Sequence, residues 1–193
     1  MMIGNASVLA IESSITLAYE RLSFRALGFF VIHVAGRSYG RRLPDSTLLA
    51  CSYDEVGRRI AMRGSHNVAF ATEPDAGKIA DAFLNAIYAK EPRESHFGIP
   101  LSEFSDMIQL KRIVWAPDGD EAFDDGSYVL QFDVQDRVRL IAFKSGHTYL
   151  HDPDTLRDIW LAAEEFYHVL ERWHDAFESE WVSTPKASDA GVK

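Results

Sequence analysis

Apolar and polar residues alternate along the first part of the chain, which predicts β-strands there. The apolar residues of segment 9–17 fall on one face of the run, and the polar residues between them face away. Segment 27–35 (LGFFVIHVA) is apolar on both faces and is therefore predicted to be a central strand. Gly36 suits a tight turn with positive φ, after which residues 37–41 are predicted to return as a shorter strand.

The middle of the chain changes to the three-and-four spacing of amphipathic helices. Ser52 and Glu55 have the spacing of a capping box, which predicts a helix that starts at Ser52. Residues 72–75 (TEPD) are typical of a second helix start, because acidic side chains complement the positive end of the helix dipole. A short third helix is predicted from Ser102.

The last part of the chain predicts a hairpin followed by one long helix. Residues 128–142 alternate on both sides of a turn at 135–136. Asp152 and Pro153 suit a helix N-cap and the first helical position. Apolar residues then recur at steps of three and four over 159–181, which predicts an amphipathic helix that packs on the sheet.

These elements indicate the α+β class, with an antiparallel sheet flanked by helices and a long C-terminal amphipathic helix. A chain of 193 residues suits one hydrophobic core, and we find neither an internal repeat nor a linker. We therefore expect a single domain over residues 1–182. The small, polar segment 183–193 is expected to be a disordered tail.

The composition and the net charge of the chain limit the kinds of molecule that it is expected to bind. The chain is 47% hydrophobic, which excludes a disordered protein, and its net charge is −9. An acidic surface repels nucleic acid and anionic membranes and favours a basic protein partner, although excess acid can also serve only to keep a domain soluble. The single cysteine, Cys51, excludes a disulfide within the chain and a cysteine zinc site.

Two observations bear on location. The longest apolar run, residues 26–34, is too short to cross a bilayer. The first residues lack the basic start of a signal peptide. The cytoplasm is therefore the expected compartment.

The sharpest local feature is a polar loop that concentrates acidic residues: Asp118, Asp120, Glu121, Asp124 and Asp125. The spacing argues against a calcium loop, because Ala122 stands where an oxygen ligand belongs. A paired-carboxylate active site, a docking surface for a basic partner and a plain solvated turn all stay open. Phe123 and Trp115 are candidate aromatic anchors beside the acids, although the plainer role for Trp115 is in the core.

Two histidines are the remaining candidates for chemistry. His147 and His151 are four residues apart, but Gly146 and Pro153 flank them and favour a loop over the helix face that a metal pair needs. The nucleophile, phosphate-binding and dinucleotide motifs are absent from the sequence. A small metal-dependent hydrolase that uses these histidines and the acidic loop stays open as an alternative. A self-associating adaptor module that uses the outer face of the last helix is another.

The N-terminal residues resemble a known family. Ile3-Gly4-Asn5-Ala6-Ser7, then Ala10-Ile11-Glu12 and Ile15, an apolar strand, Gly36-x-x-x-Gly40 and a helix start at Ser52 are similar to the Immunity protein 42 family. The match covers about the first third of the chain, and Asp124-Asp125-Gly126-Ser127 at the start of the hairpin is compatible with the rest.

The resemblance implies a function that fits the acidic composition. Immunity proteins of bacterial polymorphic-toxin and contact-dependent inhibition systems bind one cognate toxin domain in the cytoplasm of the producer, and they need no catalytic residue and no cofactor. Many such toxins are nucleases with basic clefts. We therefore expect a non-enzymatic protein, monomeric by preference, that neutralises a basic toxin domain. The contacts expected from charge alone are Asp118, Asp120, Glu121, Phe123, Asp124 and Asp125.

Overall fold

The N-terminal third forms five strands of a six-stranded, mainly antiparallel sheet in the computed structural model, which describes residues 1–115 and 121–187. Four strands lie side by side in chain order: β1 (Met2–Asn5), β2 (Leu9–Tyr19), β3 (Ala26–Val34) and β4 (Arg37–Tyr39). β5 (Thr47–Leu48) pairs with the start of β3. The predicted strands over 9–17 and 27–35 are confirmed, and Gly36 has the positive φ, 78°, expected in the turn before β4.

The inner face of this sheet carries the first hydrophobic core. Helices α1 (Leu49–Ala61) and α4 (Ala163–Ser183) pack on it and on each other. Trp173 of α4 is fully buried, with its ring edge-on to Phe30 of β3 at 5.1 Å between centroids. Its Nε1 donates to Ser13 Oγ at 3.0 Å, so the buried indole has its polar atom satisfied. The prediction of a long C-terminal helix on the sheet is confirmed from residue 163 onward.

The start of α1 differs from the prediction. The helix begins at Leu49, with Leu48 at the N-cap and no side-chain cap, so the predicted capping box at Ser52 is wrong. Ser52 lies inside the helix, buried, and its hydroxyl has no partner within the described residues. The physical reason is that β5 leads directly into the helix and Leu49 is fully buried. Core packing therefore fixes the helix start without help from a side-chain cap.

A second antiparallel sheet follows, with three strands in the described part of the chain. β8 (Ser127–Val134) and β9 (Arg137–Lys144) form the predicted hairpin, with Gln135 in the left-handed region at the turn. One face of this hairpin joins the first core through Val129, Leu140 and neighbouring side chains. The opposite face, which includes Phe132 and Phe143, belongs to a second core.

The third strand of this sheet lies where the sequence predicted a helix. Residues 157–162, predicted to be the first turns of the long helix, form β10 (Arg157–Ala162) along β9. Ile159 and Leu161 both face the first core, as alternate residues of a strand do. Together with the apolar residues that follow, Ile159 also fits the spacing of a helix, which is why the sequence favoured a helix here. Asp152 and Pro153 open only a short 3-10 turn. β10 satisfies the backbone of the β9 edge, and this tertiary pairing overrides the helical spacing.

The second core is built by two further helices against the hairpin. Asp75 caps α2 (Ala76–Tyr88) by accepting from Lys78 N at 3.2 Å, which confirms the helix start predicted at 72–75. α3 (Leu101–Leu110) begins one residue before the predicted Ser102. The short hairpin β6 (Ser95–His96) and β7 (Ile99–Pro100) connects them. The aromatic residues of this core are Phe70, Phe83, Phe104, Phe132 and Phe143.

The chain remains structured just beyond the expected domain boundary at residue 182. α4 ends at Ser183, and β11 (Lys186–Ala187) then pairs in parallel with β2. Residues 188–193 of the expected tail lie outside the described residues. Among the helices that are described, none combines the length and the apolar composition needed to cross a membrane.

A buried arginine connects α1 to the central hairpin. The side chain of Arg59 is fully buried and pairs with Glu55 at 3.0 Å. It also donates to Gln131 Oε1 of β8 at 3.0 Å, and its guanidinium lies 4.6 Å from the Trp115 ring centre. Burial lowers the pKa of Arg59 to about 10, against the opposing effect of Glu55. Because a buried charge is costly unless it is paired, Arg59 and Glu55 depend on each other.

We expect Arg59→Ala to destabilise the fold by about 3–5 kcal/mol, because it leaves a cavity and removes the buried partner of Glu55. Arg58→Ala is a matched control: Arg58 contacts the same carboxylate at 3.2 Å, but its side chain is 52% exposed. That control should cost less than about 1 kcal/mol. Urea unfolding of both variants measures the difference. Equal losses of unfolding free energy would show that the buried pair contributes no more to stability than the exposed one.

Candidate functional surface

The acidic loop lies at the start of β8 and is only partly described. Asp118 and Asp120 lie outside the described residues. Glu121 is exposed and opens a single 3-10 turn. Ala122, next in the chain, is fully buried, and its carbonyl accepts from Arg41 N at 2.7 Å. The loop is therefore attached to the segment after β4 at Ala122, with Glu121 and Asp124 exposed on either side.

The aromatic candidates beside the loop have structural roles. Phe123 is half-buried and packs edge-on against Phe30, with ring centroids 6.3 Å apart. Trp115 is 3% exposed and belongs to the first core, which is the plainer of its two predicted roles. Only the outer edge of Phe123 is left for a partner to contact.

Two of the predicted acids have cationic neighbours. Asp125 pairs with Lys144 at 2.5 Å and also accepts from Ser127 N at 3.1 Å, which fixes its position at the end of the hairpin. Asp124 is 3.9 Å from Arg41, and its side chain is 57% exposed. Salt bridges on the surface are weak, so Asp124 keeps most of its charge available to a partner. Of the acids in the described part of the loop, Glu121 and Asp124 are therefore exposed, whereas Asp125 is half-buried and paired.

The outer face of α4 carries a second group of acids. Glu164, Glu165, Glu171 and Asp175 are exposed, and none of them has an ion pair within residues 1–115 and 121–187. α4 begins beside the hairpin turn, where Ala163 N donates to Asp136 O, whereas the acidic loop precedes the other end of β8. Eight-residue strands put these two ends roughly 24 Å apart. The start of α4, with Glu164 and Glu165, is therefore far from the loop, whereas Glu171 and Asp175 flank Trp173, which packs on the same Phe30 ring as Phe123.

The two histidines considered as metal ligands do not come together on a helix. His147 is exposed in the loop after β9, while His151 bonds to Asp81 of α2 through its ring Nδ1 at 2.6 Å and its backbone N at 2.9 Å. Within the part of the chain that the structure describes, no three His, Cys, Asp or Glu side chains are grouped to hold a metal ion. The role that the structure gives His151 is to hold its loop against α2.

A polar cleft of about 390 Å³ lies at the hairpin turn. Its floor includes Asp133, whose carboxylate accepts from Tyr167 Oη at 3.0 Å, from Gln131 Nε2 at 3.3 Å and from His66 N at 3.1 Å. Burial first, and Asp133 second, raise the pKa of Tyr167, so the phenol stays protonated and donates. The carboxylate already has its hydrogen-bond partners. This arrangement stabilises the fold and offers no poised general base.

A second surface was not found by sequence reasoning. Beside the acidic loop, a groove of about 430 Å³ is lined by Leu84, Tyr88, Tyr128, Ser145, Gly146, Thr148 and Tyr149. The three tyrosines come from α2, β8 and the loop after β9, so no local pattern joins them. The one signal in the sequence is the apolar pair Tyr149-Leu150 in a short loop, and both residues are exposed.

Comparison with known proteins gives a family and a fold. The family model for Immunity protein 42 matches residues 1–176. A comparison with curated proteins gives no match. Among solved structures, the chain is similar to the crystal structure of CdiI from Burkholderia dolosa AUO158, with a TM-score of 0.57 and 14% identity over 91% of this chain and 99% of that one. At that level of identity the likeness shows a shared fold.

Buried histidines predict a pH dependence of stability. Burial is the largest cause that lowers the pKa of His66, His96 and His174 below the ordinary value of 6.5. The unfolded chain therefore binds more protons than the folded one as the pH falls below 6.5, and the free energy of unfolding should fall with it. Each group contributes at most about 1.4 kcal/mol per pH unit.

Urea unfolding between pH 7.5 and about pH 5 measures this slope, above the range where most carboxylates titrate. His66→Gln should flatten the decline, because it removes one of the three groups. His147→Gln is the control, since His147 is exposed. A wild-type stability that is constant over this range would contradict the lowered pKa of these three histidines.

Proposed function

Because the chain belongs to the Immunity protein 42 family, we propose that it neutralises one cognate bacterial toxin domain by binding to it directly. The observation that carries the proposal is the family match, which extends over residues 1–176 and so includes both cores and most of α4. An inhibitor of this kind works by occupying a surface of its target, and it needs only shape and charge on its own side. The net charge of −9 supports a basic target.

The acidic loop is the surface that we assign to the first encounter with the toxin. Asp118, Asp120, Glu121, Asp124 and Asp125 would supply negative charge, and the outer edge of Phe123 would supply an apolar contact. Lys144 and Arg41 partly neutralise two of these acids, so the loop is less negative than its sequence suggests. We therefore assign the loop mainly to association rate, with a smaller share of the final affinity.

The probe for the proposed function is the toxin domain that we expect the neighbouring gene to encode. Expression of that domain should stop bacterial growth, and co-expression of this chain should restore it. The two purified proteins should then form a complex of defined stoichiometry in size-exclusion chromatography. If growth is restored without a complex, or if neither effect occurs, direct neutralisation of that toxin is contradicted.

Removal of charge from the loop should slow association. We expect the combined change of Asp118, Asp120, Asp124 and Asp125 to Asn and Glu121 to Gln to lower the association rate by about tenfold at low salt. It should also reduce the dependence of that rate on salt, because screening acts on the charges that are removed. Stopped-flow binding to the same toxin domain at several salt concentrations measures both effects.

A second charge-reduced variant serves as the matched control. In it, Glu164, Glu165 and Glu171 become Gln and Asp175 becomes Asn, which removes a similar charge from the exposed face of α4. That variant should associate much faster than the loop variant. If both variants lower the association rate equally, only the net charge of the protein matters. The assignment of the acidic loop to the first encounter would then be wrong.

A further inference from the structure

The groove beside the acidic loop is an aromatic surface open to solvent. Tyr128 stacks on Phe143 of β9 with centroids 5.5 Å apart, and the Tyr88 ring lies 5.8 Å from the Tyr128 ring. Tyr149 completes the groove and is 38% exposed. Within residues 1–115 and 121–187, the hydroxyl groups of Tyr128 and Tyr149 have no hydrogen-bond partner. The groove therefore offers tyrosine rings together with the unpaired hydroxyl groups of Tyr128 and Tyr149.

The loop that carries Tyr149 is closed by hydrogen bonds at both ends. Thr148 and Tyr149 both have φ of 60°, in the left-handed region that non-glycine residues seldom adopt. Gly146 N donates to Leu150 O at 2.8 Å and closes the loop. His151 then fixes the far end through its two bonds to Asp81. A preformed wall of this kind lowers the entropy cost of binding.

The glycine at the start of α2 makes room for this attachment. A Cβ at Gly77 would lie 2.9 Å from His151 Cε1. The His151 ring thus lies directly on the backbone of α2, and the loop is anchored on the same helix that supplies Tyr88 and Leu84 to the groove. Both walls of the groove are therefore positioned by one element.

The acidic loop borders the groove. Ser145, which lines the groove, donates its N to Gly126 O at 2.8 Å, and Gly126 directly follows Asp125. Asp125 is paired with Lys144, so the negative charge on this side of the groove comes mainly from the exposed Glu121 and Asp124. Tyrosine faces attract cations through their π electrons, and carboxylates attract them by charge. Both features of this surface therefore favour the same kind of group.

We infer that the groove binds an arginine or lysine side chain of the toxin domain, with its aliphatic stem along the tyrosine rings and its charge toward the acidic loop. This inference rests on the proposed function and goes further, because it names the chemistry of the contact that holds the complex together. The acidic loop guides the encounter, whereas the groove sets how slowly the complex dissociates.

Three substitutions of Tyr149 separate the kinds of contact. Tyr149→Phe keeps the ring, Tyr149→Leu keeps apolar bulk without a ring, and Tyr149→Ala keeps neither. With the neighbouring-gene toxin domain as probe, we expect the Phe variant to bind within about twofold of wild type. The Leu and Ala variants should dissociate roughly 3- to 30-fold faster, which is the range for a cation over an aromatic ring. Surface plasmon resonance measures these rates.

Leu110→Ala is the control for loss of an exposed apolar side chain, since Leu110 is 76% exposed and does not line the groove. It should bind as wild type does, and thermal unfolding checks that all four variants are folded. If wild type binds and no Tyr149 variant changes the dissociation rate, the inference about the groove is contradicted, while the proposed function is not. A Leu variant equal to wild type with a weak Ala variant would replace the cation with an apolar anchor and overturn the inference. Failure of the wild type to bind would overturn both proposals together.

Discussion

The β8–β9 hairpin is the constraint on which the rest of this structure depends, because both of its faces are buried and each face belongs to a different core. Val129 and Leu140 pack toward α1 and α4, while Phe132 and Phe143 pack toward α2 and α3. A strand buried on both faces must satisfy its polar side chains internally. Arg139 shows this plainly: it is 1% exposed, and it binds Asp158 of β10 with two nitrogens and the carbonyl of Ala71 with a third contact.

The sequence predicts most of the strands and helices of this fold, because most of them depend on local patterns. The alternation in β2, the continuous apolar run in β3 and the turn at Gln135 each need only nearby residues, and all were predicted at about the right place. β10 could not be predicted in this way, because Ile159 fits a helical stripe as well as a strand, and only the unpaired edge of β9 decides between them. The start of α1 was misplaced for a similar reason, since burial of Leu49 against distant residues outweighs a favourable capping pattern at Ser52.

The candidate surface was less predictable than the fold. Charge in the loop at 118–125 is visible in the sequence, but its neutralisation by Lys144 and Arg41 is not, because these cations come from β9 and from the segment after β4. The tyrosines of the groove come from three elements that meet only when α2 packs on the hairpin. Aromatic residues in separate elements give no periodic signal, so contact geometry alone identifies them as one surface.

The hairpin, buried on both faces, also bears on the binding surface that we propose at its 126–145 end. The ladder from Ser127–Lys144 to Val134–Arg137 is unbroken, and both cores hold it in place, so the loops attached at its ends start from fixed positions. A loop on such a frame can change its side chains with little cost to the cores, because its own residues are exposed. At the turn end, Asp133 and Tyr167 form hydrogen bonds with each other inside the fold, and a substitution there would destabilise it. At the opposite end, Tyr149, Thr148 and Asp124 are exposed, so this end can specify a partner without destabilising the domain that presents it.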